Sequence, residues 1–157
     1  MVVRTALKTS ILFDVFALSQ QVGTLLQLAM RDAGMRASDY AVYSVVLEAG
    51  PVTLTDLARQ LGMPVTTAAD YVRAMLARGH LRKQPHPNDS RAHLLALTPA
   101  GVRAHRTANS RFERAYRAIV RELPPLDEAE TRDVLQRLTS SAARATERLT
   151  GRRLADS

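Results

Sequence analysis

Leu81-Arg82-Lys83-Gln84-Pro85-His86-Pro87-Asn88-Asp89-Ser90-Arg91-Ala92-His93-Leu94-Leu95-Ala96-Leu97-Thr98-Pro99-Ala100-Gly101 is the stretch whose reading decides the fold. Two runs, residues 81–84 and 93–97, flank a centre of Pro, Asn, Asp and Ser. Those residue types supply turn geometry, so the spacing predicts a two-stranded hairpin with a polar tip. Period-2 alternation is weak in the second run. Thr98-Pro99 then reads as a helix start, with threonine as N-cap and proline at the first helical position.

Working upstream, Thr53 with Asp56 three residues later resembles a capping box. Leu54, Leu57, Ala58 and Leu61 form a short inward face, and Gly62 ends it. A second helix follows Met63-Pro64, with Ala68, Tyr71, Val72 and Met75 on one side, and stops at Gly79. Two short helices with a glycine turn between them describe a helix-turn-helix. The hairpin after it is a wing.

Longer helices flank this core. Ile11, Val15, Leu18, Val22, Leu25 and Ala29 recur at steps of three and four, widened by Leu12, Phe16, Leu26 and Leu28. Ser38 reads as N-cap of a helix through Tyr40, Tyr43 and Val46 that ends at Gly50-Pro51. The helix after Thr98 runs to about Leu123, where Pro124-Pro125 breaks it. Asp127 with Glu130 starts a last helix carrying Val134, Leu135, Leu138 and Leu149. The fold class is mainly α with a small β-wing. The expected division is 1–36 for an N-terminal dimerisation helix, 37–101 for the winged helix-turn-helix, and 102–157 for C-terminal dimerisation helices.

Composition narrows the function. The 157 residues include 22 bases and 15 acids, a net +7, and 46% are apolar. A chain this basic usually meets a polyanion. All the bases except Lys8 and Lys83 are arginine, whose planar fork suits phosphate and base edges. Residues 51–101 carry six bases against three acids. With no cysteine, thiolate metal sites, disulfides and cysteine nucleophiles are excluded. His80, His86, His93 and His105 match no ligand spacing, so neither a metal nor a cofactor is expected. No Gly-rich phosphate loop, H-E-x-x-H or G-x-S-x-G is present, which argues against an enzyme. Asp14, Ser19, Gln20, Gln21 and Gln27 interrupt the apolar stretch 11–28, so neither a membrane partner nor a signal peptide is expected, and the cytoplasm is the expected compartment.

Asp89-Ser90-Arg91 followed by His93-Leu94-Leu95-Ala96-Leu97-Thr98-Pro99-Ala100-Gly101 closely resembles the wing-to-helix signature of the MarR (multiple antibiotic resistance regulator) family. Leu54 to Met63 is similar to the first helix of its reading head, and Val72 to Leu81 to the end of its recognition helix. The resemblance spans nearly the whole chain. It implies a homodimer whose first and last helices interleave and whose two winged heads bind a pseudo-palindromic operator on double-stranded DNA, as a repressor or activator. It also implies a small, often aromatic, effector in a cleft between platform and head. The family often carries a polar-then-basic pair in mid-recognition helix, where this chain has Ala69 and Asp70. Tyr40 and Tyr43 are candidates for lining the effector cleft, with buried core as the stronger expectation.

The outer face of the recognition helix supplies the first candidate DNA contacts. Thr66 and Thr67 can bond phosphate or a base edge, and Ala69 can pack on a thymine methyl. Asp70 can accept from a cytosine amino group, and Arg73 can reach phosphate or guanine. In the wing, Arg91 is the expected minor-groove cation. Asp89 is expected to fix its guanidinium, as the family pattern implies. Lys83, His86 and Asn88 are further phosphate candidates, as are Thr53 and Thr55. The competing reading is a winged-helix protein-interaction module without specific DNA binding.

Overall fold

The computed structural model describes residues 11–155 except 124 and 126, and only the backbone for 151–155. Of the sequence reading, Lys8, Pro124 and the ends 1–10 and 156–157 of the expected division lie outside the described residues. The elements run α1 (Ile11–Met30), α2 (Ala37–Ala49), α3 (Leu54–Leu61), α4 (Val65–Ala77), β1 (Leu81–His86), β2 (Asp89–Leu97), α5 (Pro99–Glu122) and α6 (Glu128–Ala155).

Local chemistry sets most of the boundaries. Thr53 caps α3: its hydroxyl accepts the Asp56 N–H at 3.1 Å. At the other end Gly62 sits at φ 62°. Met63 N–H donates to Ala58 C=O and Gly62 N–H to Arg59 C=O, the paired bonds of a Schellman stop. Helix α4 ends the same way: His80 N–H donates to Met75 C=O, Gly79 N–H to Leu76 C=O, and Gly79 has φ 69°. Thr98 caps α5, accepting the Gly101 N–H at 3.1 Å and donating to Gly79 C=O at 2.7 Å. Asp127 caps α6 through the Glu130 N–H. The expected cap of α2 is corrected. Arg36, not Ser38, is its N-cap residue, and Ser38 is exposed inside the first turn. The carboxylate of Asp39 in that turn is taken by Arg36 instead.

Strands β1 and β2 pair antiparallel from Leu81 opposite Leu97 to Pro85 opposite His93, with an irregularity between Pro85 and His86. They extend further into the polar centre than the composition indicated, so the tip is only Pro87-Asn88. Weak alternation in β2 has a simple cause: Leu95 and Ala96 are both buried, because the base of the hairpin is covered on both faces. Val52 adds a short third rung, exchanging backbone hydrogen bonds with Leu95 at 3.1 and 2.7 Å.

The reading-head core is Val42, Tyr43, Val46, Leu57, Val72, Met75, Leu81 and Leu95, drawn from α2, α3, α4 and the wing. Full burial stabilises each such side chain by roughly 1.5–3 kcal/mol. A second cluster, Met30, Tyr40 and Ala108 with Phe112 against it, joins the ends of α1 and α2 to α5. Tyr40 and Tyr43 are thus core residues. Met30 is the one fully buried residue of α1, Phe13, Val22, Leu25 and Leu26 being half-buried, and no described side chain of α6 is fully buried. By length and mean hydropathy alone α1 could cross a membrane, a test that core helices also pass; it packs along α5.

Candidate nucleic-acid interface

Helix α4 shows two unlike faces. Ala68, Val72 and Met75 are buried, while Thr66, Thr67, Asp70 and Arg73 are exposed and Ala69 is half-buried. The hydroxyls of Thr66 and Thr67 stand at the helix N-terminus, where backbone N–H groups and the positive end of the dipole favour phosphate. Pro64 is the N-cap residue and offers no side-chain cap, so the first-turn N–H groups stay open.

Asp70 and Arg73 do not act separately. The Arg73 guanidinium donates to the Asp70 carboxylate at 2.8 Å across one helical turn. The acid on this face is therefore locally neutralised, which removes much of the repulsion an unpaired Asp70 would exert on phosphate.

The wing differs from expectation in one respect. Asp89 accepts the backbone N–H of Arg91 at 2.9 Å, not its guanidinium. The two-residue tip leaves that N–H without a cross-strand acceptor, and the short Asp side chain reaches it as an Asx turn. Arg91 is exposed and forms no ion pair among the described residues. Asn88 donates its backbone N–H to His86 Nδ1 at 3.2 Å, which shapes the tip. Lys83 projects from β1 into solvent.

At the start of α3 the two threonines part. The Thr53 hydroxyl donates to Asp56 Oδ2 at 2.7 Å as well as capping the helix, so it is committed. Thr55 is exposed. Asp56 also holds Arg59 at 3.0 Å.

Three polar groupings escaped the sequence reading. Tyr43 and His80 share a 2.6 Å hydrogen bond between hydroxyl and Nδ1 that ties α2 to the end of α4. On α5, His105 stacks on Tyr40 with centroids 5.0 Å apart and lies 3.0 Å from the Ser44 hydroxyl. Tyr40 in turn donates to Asn109 at 2.6 Å. Burial lowers the His105 pKa and raises those of Tyr40 and Tyr43, Arg78 opposing the rise at Tyr43. The third grouping is Asp39, buried, with Arg36 donating at 3.0 and 3.2 Å and the Arg78 guanidinium in an ion pair at 3.8 Å. The hydrogen bond to Asp39, then its charge, raises the Arg36 pKa further. These three residues border a cleft of about 700 Å³ between α1, α2 and the end of α4. Arg36-x-x-Asp39 spacing hinted at the near pair; nothing in sequence pointed to Arg78. No group of three or more potential metal ligands occurs among the described residues.

A helix-turn-helix with an open outer helix face and an arginine-bearing wing defines a winged-helix DNA-binding protein. Residues 33–92 match the MarR family. Over these residues the reading head is similar to that of this family of transcription regulators. The PcaV transcriptional regulator from Streptomyces coelicolor, solved with its natural ligand, is 25% identical with a TM-score of 0.72, over 85% of this chain and 94% of that one. Two further structures support the fold. CouR from Rhodococcus jostii RHA1, bound to p-coumaroyl-CoA, is 24% identical with a TM-score of 0.73, covering 86% and 95%. A mutant MarR from E. coli complexed with operator DNA is 17% identical with a TM-score of 0.70, covering 80% and 91%. Comparison with curated protein sequences finds no match.

Proposed function

We propose that this chain is a homodimeric, sequence-specific transcription regulator that binds a pseudo-palindromic operator and is released by a small effector, acting in the cytoplasm. The observation that carries the reading is the free, exposed Arg91 beside the tip of a wing adjoining a recognition helix with an open N-terminus. Thr55, Thr66, Thr67, Ala69, Arg73, Lys83, Asn88 and Arg91 are assigned to the DNA face. Asp70 and Asp89 orient neighbours on it, and Thr53 holds the helix start. Dimerisation is supported by apolar side chains that one chain leaves in water: Ile11, Leu12 and Phe16 on α1, Tyr116 and Val120 on α5, and Leu135 and Leu149 on α6. A second copy would bury them. On this reading 1–36 and 102–157 form the platform and 37–101 the reading head. The cleft bordered by Arg36 and Arg78 is the effector site.

The test is selection of duplex fragments by the purified protein, followed by anisotropy titration on the enriched sequence and on random duplex. Preference for an inverted repeat with half-sites about one helical turn apart is expected. No binding even to random duplex at low salt would favour the protein-interaction module.

A further inference from the structure

His80 lies between the Gly79 stop of α4 and Leu81, the first residue of β1. Its backbone N–H donates to Met75 C=O of α4 at 2.9 Å. Its C=O accepts the Thr98 N–H at 3.0 Å, closing the base of the wing one step beyond the Leu81–Leu97 pair. Thr98 caps α5, and a methyl at Gly101 would collide with the His80 carbonyl oxygen, so α5 passes directly against this corner. Backbone contacts thus join α4, the wing and α5 to one another at His80. The side chain adds a different link. Its Nδ1 shares a 2.6 Å hydrogen bond with the hydroxyl of Tyr43, and the two rings meet edge-on with centroids 5.8 Å apart. Tyr43 belongs to α2, is fully buried, and sits with Val42, Val46, Leu57 and Met75 in the reading-head core. His80 itself is half-buried.

We propose that Tyr43 and His80 are positioning residues of the DNA face: their hydrogen bond sets the angle at which the wing leaves the recognition helix. The inference rests on the reading above, in which α4 and Arg91 engage different grooves of one duplex. Both must then be in register at once. The wing acts as a lever: the six residues of β1 span about 20 Å, so a tilt of about 6° at its base moves the tip by about 2 Å. Hydrogen bonds do not survive such a displacement. The backbone bonds at His80 travel with the corner, whereas the Tyr43 bond fixes it to a ring held in a close-packed core. Apolar packing of the neighbouring Leu81 resists separation from that core but has no direction, so it permits small rotations. A short hydrogen bond has direction and opposes them.

The test is anisotropy titration of the full-length chain on the enriched duplex and on random duplex. Tyr43→Phe deletes the hydroxyl alone. It is expected to weaken binding to the enriched duplex about three- to tenfold, the scale of one hydrogen bond. Random duplex is held chiefly through phosphate charge, so its affinity is expected to fall by less than about twofold. His80→Leu is expected to act like Tyr43→Phe, and the double variant to lose no more than either, because both changes remove one bond. His80→Asn keeps an amide near the Nδ1 position that can donate or accept, so it should recover most of the affinity. Circular dichroism and melting confirm that each variant is folded. A merely structural pair would lower Tm and leave the affinity of the folded protein unchanged. If Tyr43→Phe folds poorly, the two His80 variants decide alone. Unchanged affinity for the enriched duplex, an equal loss on random duplex, or His80→Asn as weak as His80→Leu overturns the proposal, as does an additive loss in the double variant. Amide hydrogen exchange judges the junction without DNA. In Tyr43→Phe the Thr98 N–H, bonded to His80 C=O, should exchange about three- to tenfold faster relative to the Leu95 N–H, bonded to Val52 C=O. Equal acceleration of the two also overturns it. If the protein binds no duplex at all, the regulator reading fails while the exchange rates still judge the junction.

Discussion

Replacing Arg91 by alanine tests the DNA face most directly, because the structure fixes what the change removes. The guanidinium is exposed and forms no ion pair among the described residues, so in the free protein its counter-charge is mobile salt. Asp89 bonds the backbone N–H at position 91, which alanine retains, so the tip keeps its shape. The loss is one phosphate-neutralising charge per protomer. Each such contact contributes about 0.9 to the slope of log K against log salt. Two protomers therefore lower the slope by about 1.8. Between 50 and 200 mM salt, wild type should lose roughly tenfold more affinity than the variant. Anisotropy titrations at four salt concentrations on one duplex measure this, with circular dichroism to confirm the fold. Parallel lines for the two proteins would refute the placement of Arg91 on the DNA. Arg73→Ala also unpairs Asp70 on the same face, so it should weaken binding at every salt concentration at least as much as Arg91→Ala does.

Three further outcomes follow from the packing. Gly101→Ala places a methyl against the His80 carbonyl oxygen, a backbone atom that cannot swing aside; it should cost about 1–3 kcal/mol and lower Tm at matched protein concentration. Burial depresses the His105 pKa, so the unfolded chain takes up this proton first as pH falls. Stability should be full above the ordinary histidine range of about 6.5 and should decline below it toward the lowered folded value, with a flatter profile in His105→Asn measured by urea titration. Phe16→Glu puts a charge on the exposed apolar stripe of α1; losing two buried phenyl groups per dimer costs roughly 3–6 kcal/mol, and sedimentation should show monomer, while an unchanged dimer would remove α1 from the interface.

Much of the fold was legible because its signals are local. Thr53 with Asp56, Gly62, Gly79 and Thr98-Pro99 each act on backbone within a few residues, so their chemistry can be read where it stands. The wing was legible as a hairpin but not in its extent. Pro, Asn and Asp read as turn, whereas the tip closes over two residues and the rest continues the ladder. The Val52 rung had no local mark, because its partner Leu95 is distant in sequence. Ser38 failed as a cap because α2 begins one residue earlier, at Ala37, which places Ser38 inside the first turn. For the candidate site, residue types on α4 and the wing were readable, but their pairing was not: Asp89 could have held either the backbone or the guanidinium of Arg91. The cleft was invisible, since Arg78 meets Asp39 only after the chain has folded through three helices.

Two contacts hold the start of α2, and they differ in kind. At one, Tyr40 stacks between His105 and Phe112 and bonds Asn109 at 2.6 Å, with its ring buried. Rings packed on both faces and tied at the hydroxyl have no alternative arrangement of similar energy, so this joint is stiff. At the other, Arg78 leans on Asp39 at 3.8 Å from half-exposed surface, in contact with a solvent-open cleft. Such a contact adds little, so of the two the Tyr40 contact with α5 is the firmer.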